Sequence, residues 1–211
     1  MAAERGFVIA LLGAESTGKT TLAFALRDAL AAQVRSAVVV PEYLREFCDR
    51  HQRTPRRDEQ AAIAAGQTRR IDVAAQAHDL VIADTSALMI AVYSDQVFGD
   101  TGLYPGAEAA QRACDLTLLT ALDLPWQADG LQRDGPQVRE PVDAKVRAAL
   151  ARAGTPYAVV FGSGAARLAA ALASVQRARA PRPSGDGARW HWHCERCGDP
   201  NCERHGLLPR G

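Results

Sequence analysis

The feature that most constrains the fold is a short glycine-containing segment between an apolar run and a helical stretch. Phe7–Leu12 has the continuous apolar character of a strand buried on both faces, and Thr21 opens an alanine- and leucine-rich stretch. The intervening segment reads Gly13-Ala-Glu-Ser-Thr-Gly-Lys-Thr20. A tight strand-to-helix turn requires glycines but not the lysine and threonine that follow them. The pattern therefore predicts a phosphate-binding loop, the P-loop.

The expected ligand of this loop is ATP with Mg²⁺. Its glycines let successive backbone N–H groups point inward at a phosphate, and the helix that follows adds its positive dipole end. Lys19 is expected to reach the β- and γ-phosphates, and the Thr20 hydroxyl suits Mg²⁺. The residues predicted to bind the nucleotide are Gly13, Glu15, Ser16, Thr17, Gly18, Lys19, Thr20 and Thr21.

Short apolar runs and alanine-rich helical stretches alternate along the rest of the chain. After Phe7–Leu12, the predicted strands are Ala37–Val40, Leu80–Ala83, Leu116–Leu119 and Tyr157–Phe161. The predicted helices are Lys19–Ala32, Arg57–His78, Ala87–Val97, Asp143–Arg152 and Ala165–Arg179. This order predicts a P-loop NTPase fold with three α/β/α layers around a five-stranded parallel sheet.

Asp84 stands at the end of an apolar strand, where ligand sites form in parallel sheets. We expect it to hold the Mg²⁺ water shell beside Thr20, or to orient the hydroxyl that accepts the phosphoryl group. The alternative is that Asp84 caps the next helix together with Thr85 and Ser86, a common use of these residue types.

Glu42 follows another apolar run, Ala37–Val40, and faces the same predicted crevice. It is a candidate general base, and the neighbouring Arg45 is a candidate substrate contact. Alternatively, Arg45 and Glu46 are solvated charges at a helix start, and Glu42 joins them in a surface ion pair.

The stretch from Asp123 to Pro141 contains glycines, prolines and several charges, which predict a mobile loop. Phosphoryl transfer is accelerated by a positioned guanidinium, and Arg133 is the predicted lid arginine, with Arg139 as the alternative. Trp126 either stacks on a ring of the substrate or nucleotide, or anchors the loop through apolar contacts.

Several of these motifs together resemble one family. They are Gly13–Leu22, Pro41–Glu46, Gly66-Gln67, Asp84-Thr85 and Asp123-x-Pro-Trp-x-x-Asp-Gly-x-x-Arg133. From Phe7 to Val175 the chain resembles the ribosylnicotinamide kinase domain of NadR-type proteins. The resemblance implies transfer of the ATP γ-phosphate to the ribose 5′-hydroxyl of nicotinamide riboside, in NAD synthesis. It implies substrate or catalytic roles for Glu42, Gln67, Asp84, Trp126, Asp129 and Arg133.

Charge and length set further expectations. Twenty-five basic against 24 acidic residues leave a formal net charge of +1, so neither DNA nor a membrane surface is an expected partner. The DNA-binding and adenylyltransferase modules of NadR-type regulators have no space in the chain. Without an apolar export signal near Met1, we expect a cytoplasmic protein, with homo-oligomerisation left open. The alternatives are a kinase for another nucleoside or metabolite, and an ATP-binding sensor protein.

The end of the chain combines four potential zinc ligands within twelve residues: Cys194, Cys197, Cys202 and His205. Thiolate and imidazole at this spacing predict a structural Zn²⁺ site resembling a zinc knuckle. His191 or His193 is an alternative fourth ligand, and incidental thiols are the alternative to metal binding. We therefore expect a kinase domain over residues 1–179, a linker over 180–189 and a zinc-binding tail over 190–211.

Overall fold

The fold is described on a computed structural model, which covers residues 5–127 and 135–180. The part up to Ala178 belongs to one structural unit. Asp129, Arg133 and the four expected zinc ligands lie outside the described residues, so their predicted roles, like the linker and tail boundaries, stay predictions.

Five parallel strands form the sheet, as the alternation of apolar runs predicts. They are β1 (Phe7–Leu12), β2 (Ala37–Val40), β3 (Leu80–Asp84), β4 (Leu116–Thr120) and β5 (Ala158–Val160). Their spatial order is β2-β3-β1-β4-β5, so β1 lies at the centre between β3 and β4. In the register of β1 and β3, Leu11 pairs with Asp84. The first strand therefore delivers the glycine loop to the same sheet edge as the carboxylate that ends β3.

Seven α-helices connect and cover these strands in the described part of the chain. They are α1 (Lys19–Leu30), α2 (Tyr43–His51), α3 (Gln60–Ala77), α4 (Ala87–Phe98), α5 (Tyr104–Arg112), α6 (Arg139–Ala153) and α7 (Gly164–Arg179). The set of predicted helices lacked α2 and α5 and started α6 four residues late. Charged residues dominate α2, and α5 and α6 contain Pro105 and Pro141. Both prolines lie in the first turn of a helix, where proline is tolerated because that N–H has no intrahelical partner.

The core has two apolar layers, one on each face of the sheet. Alternate β1 residues divide between them, with Ile9 and Leu11 in the layer under α1 and α7, and Leu12 in the layer under α4 and α6. This arrangement confirms the predicted three-layer α/β/α fold. Within residues 5–127 and 135–180, no helix is long and apolar enough to cross a membrane.

Candidate active site

The glycine loop is braced from the neighbouring strand β4. The Thr120 hydroxyl lies 2.7 Å from the Thr17 hydroxyl and 3.1 Å from the Leu12 carbonyl oxygen. Thr17 in turn donates a hydrogen bond of 2.8 Å to the carbonyl of Ala14. Gly13 passes so close to Thr120 that a Cβ at this position would collide with its hydroxyl oxygen. The side chain of Thr17 thus stabilises the loop, and a phosphate would meet the backbone of this residue.

Lys19 is the first residue of α1, and its ammonium group folds back over the loop. Its Nζ donates hydrogen bonds of 2.9 Å to the carbonyl oxygens of both Gly13 and Ala14. The N-terminal N–H groups of α1 open toward the same loop, because helix α1 begins directly after Gly18. Positive charge and backbone donors therefore converge at one point, the combination that suits a phosphate.

Thr20 and Asp84 form a close polar pair beside the loop. The Thr20 hydroxyl donates to Asp84 Oδ2 at 2.6 Å, and the Asp84 residue is only 3% exposed. The other carboxylate oxygen, Oδ1, is buried and has no hydrogen-bond partner in the described part of the chain. A hydroxyl beside a carboxylate with an unused buried oxygen fits Mg²⁺, which prefers oxygen ligands.

The helix-capping alternative for Asp84 does not describe this structure. Ser86 is the N-cap of α4, and its Oγ accepts a hydrogen bond of 3.2 Å from the N–H of Leu88. Between the two residues, Thr85 has a positive φ of 75°. Such a conformation costs a non-glycine residue roughly 1–3 kcal/mol and needs support from its surroundings. The turn after β3 thus holds Asp84 at the end of the strand.

Glu42 is the N-cap residue of α2, but its side chain forms no capping hydrogen bond with the helix. The side chain is 13% exposed, and its Oε2 lies 3.8 Å from Arg45 Nε. The ion-pair alternative is thus present for Glu42, whose partner Arg45 is 42% exposed, and Glu46 pairs separately with Arg70 at 2.7 Å, with both side chains partly exposed. Glu42 is therefore an enclosed carboxylate with a guanidinium beside it.

Gln67 lies on α3, behind the start of α2, with none of its surface exposed. Its Oε1 accepts from the N–H of Tyr43 at 2.7 Å, and its Nε2 donates to the carbonyl of Thr85 at 3.4 Å. The resemblance to the NadR-type domain implied a substrate or catalytic role for Gln67. Its position instead brings it into contact with the backbone next to Glu42 and Asp84.

The first residues of the predicted lid rest on the glycine loop. The Ser16 hydroxyl donates to the carbonyl of Gln127 at 2.7 Å, and Arg139 Nη1 donates to the carbonyl of Leu124 at 2.9 Å. Arg139, the alternative lid arginine, is 8% exposed and begins α6. Trp126 is partly buried, and its indole N–H has no hydrogen-bond partner among residues 5–127 and 135–180. Arg139 thus anchors the base of the segment from Leu124 to Gln127.

The loop after β4 is also tied to the loop after β5. Asp123 Oδ2 accepts a hydrogen bond of 2.6 Å from the N–H of Gly162, and Asp123 Oδ1 lies 3.1 Å from Arg167 Nη1. Partial desolvation acts to raise the pKa of Asp123, but the Gly162 N–H and the Arg167 guanidinium together hold it below its usual value. These contacts fix the sheet edge on the side away from α2.

A cleft of about 720 Å³ lies between the glycine loop, the start of α2, Asp84 and the first residues after β4. Several of its lining residues were not predicted, among them Phe24, Asp49 and Leu124. Phe24 is 43% exposed although it belongs to the apolar stretch of α1. Thr120, the brace below the loop, was also missed. It could have been found by the rule that identified Asp84, because it is a polar residue at the end of an apolar strand.

The sheet order and the glycine loop define a P-loop α/β protein. Residues 8–167 match the family described as the AAA domain, so the chain belongs to that family. No curated protein sequence matches the chain closely enough to count as a relative.

Solved structures share this fold at low sequence identity. A NadR protein in complex with NR matches with a TM-score of 0.65 and 21% identity, over 84% of this chain and 52% of that one. A NadR protein in complex with NAD and AMP-PNP matches with a TM-score of 0.61 and 21% identity, over 84% and 50%. The chain therefore spans about half the length of these proteins. Thymidylate kinase from Ehrlichia chaffeensis matches with a TM-score of 0.56 and 15% identity, over 82% of this chain and 98% of that one. The resemblance to the NadR-type domain is confirmed as a likeness of fold.

Proposed function

We propose that this chain is an ATP-dependent kinase that transfers the γ-phosphoryl group of ATP to a hydroxyl group of a small molecule. The observation that carries the proposal is the presence of Lys19, the Thr20–Asp84 pair and Glu42 in one cleft. A protein that only senses nucleotide needs Lys19 and the Thr20–Asp84 pair but not Glu42. A carboxylate across the cleft from the loop is what an acceptor hydroxyl requires.

The glycine loop and the start of α1 would hold the phosphates of ATP. Backbone N–H groups of the loop bind the β-phosphate, and the N-terminal end of α1 favours negative charge there. Lys19, whose ammonium group lies at the loop carbonyls of Gly13 and Ala14, would contact the β- and γ-phosphates. Its charge stabilises the negative charge of the group in transfer.

Thr20 and Asp84 would hold Mg²⁺. Their oxygens are the ligand type that this ion prefers, and no described residue forms a hydrogen bond with the buried Oδ1 of Asp84 that would compete with the ion. Bound Mg²⁺ supplies positive charge against the oxygens of the phosphate groups. Asp84 is thus assigned to the nucleotide side of the cleft.

Glu42 would take the proton of the acceptor hydroxyl. The acceptor oxygen bonds to the γ-phosphorus, the bond from that phosphorus to the bridging oxygen breaks, and ADP leaves with the electron pair of that bond. The proton passes to the Glu42 carboxylate, which Arg45 at 3.8 Å helps to orient. Asp84 is the alternative proton acceptor, because it ends the adjacent strand at the same edge of the sheet.

Nicotinamide riboside is the proposed acceptor. The motifs from Pro41–Glu46 to Trp126 resemble the ribosylnicotinamide kinase domain, and a NadR protein in complex with NR shares the fold. Charge supports the same choice, because Glu42, Glu46 and Asp49 line the α2 side of the cleft, and Arg45 is the one basic residue of α2 among the described lining residues. A carboxylate-rich wall suits a cationic pyridinium ring and disfavours an acceptor that already carries a phosphate.

A panel of acceptors tests the proposal. ATP and Mg²⁺ are supplied with nicotinamide riboside, thymidine or thymidine monophosphate, and the phosphorylated product is identified by mass spectrometry. We expect nicotinamide mononucleotide as the main product. If a thymidine compound is phosphorylated and no nicotinamide mononucleotide forms, the proposed acceptor is wrong but the proposed kinase activity stands. ATP binding with no product from any acceptor would favour the sensor alternative.

A further inference from the structure

We propose that Gln67 is a positioning residue that sets Glu42 against Asp84. It would do so by bridging the first residue of α2 to the turn after β3. The inference rests on the proposed function in one respect, which is that Glu42 and Asp84 act on the substrates. The bridge itself can be measured without any turnover.

The bridge consists of two hydrogen bonds with fixed directions. Tyr43 donates its backbone N–H to Gln67 Oε1 at 2.7 Å, and Gln67 Nε2 donates to the carbonyl of Thr85 at 3.4 Å. A backbone N–H can only donate and a carbonyl can only accept, so the orientation of the amide is determined. Tyr43 directly follows Glu42, and Thr85 directly follows Asp84. One buried side chain therefore connects the neighbours of both carboxylates.

Gln67 also performs the capping that Glu42 does not. The first N–H groups of a helix have no partner within the helix, and the side chain of the N-cap residue usually accepts from one of them. Glu42 is the N-cap of α2 but makes no such bond. Because Gln67 accepts from Tyr43 at the helix start, the Glu42 carboxylate is not used for capping and lines the cleft.

The residue before Gln67 fixes the distance between the two helices. A Cβ on Gly66 would come within 2.7 Å of Cδ1 in the ring of Tyr43, so only glycine lets this ring lie against the backbone of α3. Arg70, one turn further along α3, places its guanidinium 4.1 Å from the centroid of the same ring. Helix α3 thus holds the first residue of α2 through both its backbone and its side chain.

The other end of the bridge is Thr85, whose backbone conformation is unfavourable and must be stabilised by its surroundings. Thr85 is buried and has a positive φ of 75°, an unfavourable conformation for a β-branched residue. Its N–H donates to the carbonyl of Leu11 at 3.1 Å, and its own carbonyl accepts from Gln67. Replacing Gln67 removes the bond to that carbonyl. The peptide that follows Asp84 would then be held less firmly.

The chemistry of the bridge requires glutamine. Methionine has a similar length, but its sulfur is only a weak acceptor for the Tyr43 N–H and it cannot donate to Thr85, and glutamate can accept but not donate when ionised. A displacement of about 1 Å at a reacting group can reduce turnover on the order of 100-fold. The bond to Tyr43, at 2.7 Å, is the stronger of the two, and the bond to Thr85, at 3.4 Å, is the weaker. Loss of the bridge should therefore lower kcat mainly through Glu42, with little change in ATP affinity.

The first measurement is amide hydrogen exchange in the full chain, which needs no substrate. In Gln67→Met, we expect exchange of the Tyr43 amide to be at least about tenfold faster than in the wild type. Gln111→Met is the matched control, because Gln111 is also fully buried and bridges Ser86 at 2.6 Å and Thr117 at 2.8 Å. This control should leave Tyr43 exchange unchanged. Unchanged exchange in Gln67→Met would overturn the bridge.

The second measurement is a double-mutant cycle on kcat with Glu42→Gln. We expect Gln67→Met to lower kcat about 10–100-fold in the wild-type background and less than about twofold in the Glu42→Gln background. Gly66→Ala, which displaces the Tyr43 ring, should give the same pattern and replaces Gln67→Met if that variant does not fold. Additive losses would overturn the positioning role. Wild-type protein that phosphorylates no acceptor would overturn the proposed function, and the exchange measurement would still decide the bridge.

Discussion

The hydroxyl of Thr20 donates a hydrogen bond of 2.6 Å to the carboxylate of Asp84, across 64 residues of sequence. Thr20 lies in the first turn after the glycine loop, and Asp84 is the last residue of β3. Adjacent parallel strands bring them together, because β1 and β3 pair in register up to Leu11 and Asp84. The contact joins the expected phosphate-binding element to the expected metal-binding carboxylate.

The Thr20–Asp84 pair predicts a change in Mg²⁺ dependence. Asp84→Asn keeps the shape of the side chain but removes its charge, so the Mg²⁺ concentration for half-maximal turnover should rise by about 10–100-fold. A Mg²⁺ titration at saturating ATP measures it. Asp28→Asn is the control, because Asp28 is exposed and pairs with Arg27 on α1. An unchanged Mg²⁺ requirement in Asp84→Asn would contradict the metal assignment.

Glu42→Gln should separate chemistry from nucleotide binding. The glutamine cannot accept a proton from the acceptor, so kcat should fall by about 10²–10⁴-fold, whereas the Kd for ATP should stay within about twofold. Steady-state kinetics and calorimetric titration with ATP measure the two quantities. Glu46→Gln, at a partly exposed pair with Arg70, should have a much smaller effect. Weaker ATP binding with unchanged kcat would count against Glu42 as the base.

Thr120→Val tests the brace below the glycine loop. Valine keeps the volume but removes the hydroxyl that lies 2.7 Å from Thr17, so ATP should bind about tenfold more weakly, a cost of the size of one hydrogen bond. Thr117→Val is the matched control on the same strand, because Thr117 is bonded to Gln111 rather than to the loop. Both variants should lower Tm by a few degrees. Equal ATP affinity in Thr120→Val and the wild type would contradict a role in shaping the loop.

The C-terminal cysteines predict one zinc ion per chain. Replacing both Cys194 and Cys197 by serine should abolish zinc, as measured by elemental analysis of freshly purified protein. Cys114→Ser should retain it, because burial raises the pKa of the Cys114 thiol to about 12, far above the pH at which it could offer a thiolate. Zinc well below one equivalent in the wild type would contradict the prediction.

The local sequence pattern was sufficient to predict where the glycine loop, Asp84 and Glu42 lie. The spacing from Gly13 to Thr20 specifies the loop because glycine, lysine and threonine each meet a separate chemical requirement. Asp84 and Glu42 could be placed because parallel strands all end at one edge of the sheet. These inferences need only the order of residues within one strand and its turn.

Contacts between distant segments could not be inferred in this way. Nothing in the sequence around Thr120 indicates that its hydroxyl meets Thr17, because that contact depends on the register of β1 and β4. The role of Gln67 came only from the resemblance to the NadR-type domain, and the sequence gives no sign that α3 packs against α2 and buries this side chain completely. The short helices α2 and α5 were missed because charged residues and Pro105 obscure the apolar periodicity on which helix prediction depends.

The most direct test of the kinase proposal is the stoichiometry of phosphoryl transfer. Wild-type protein and Lys19→Ala are incubated with ATP, Mg²⁺ and nicotinamide riboside, and ADP and nicotinamide mononucleotide are quantified over time. We expect equal amounts of both products from the wild type and at least about a 100-fold lower rate from Lys19→Ala, because Lys19 stabilises the charge of the group in transfer. ADP without a phosphorylated acceptor, or equal rates from the two proteins, would contradict the proposed reaction at this cleft.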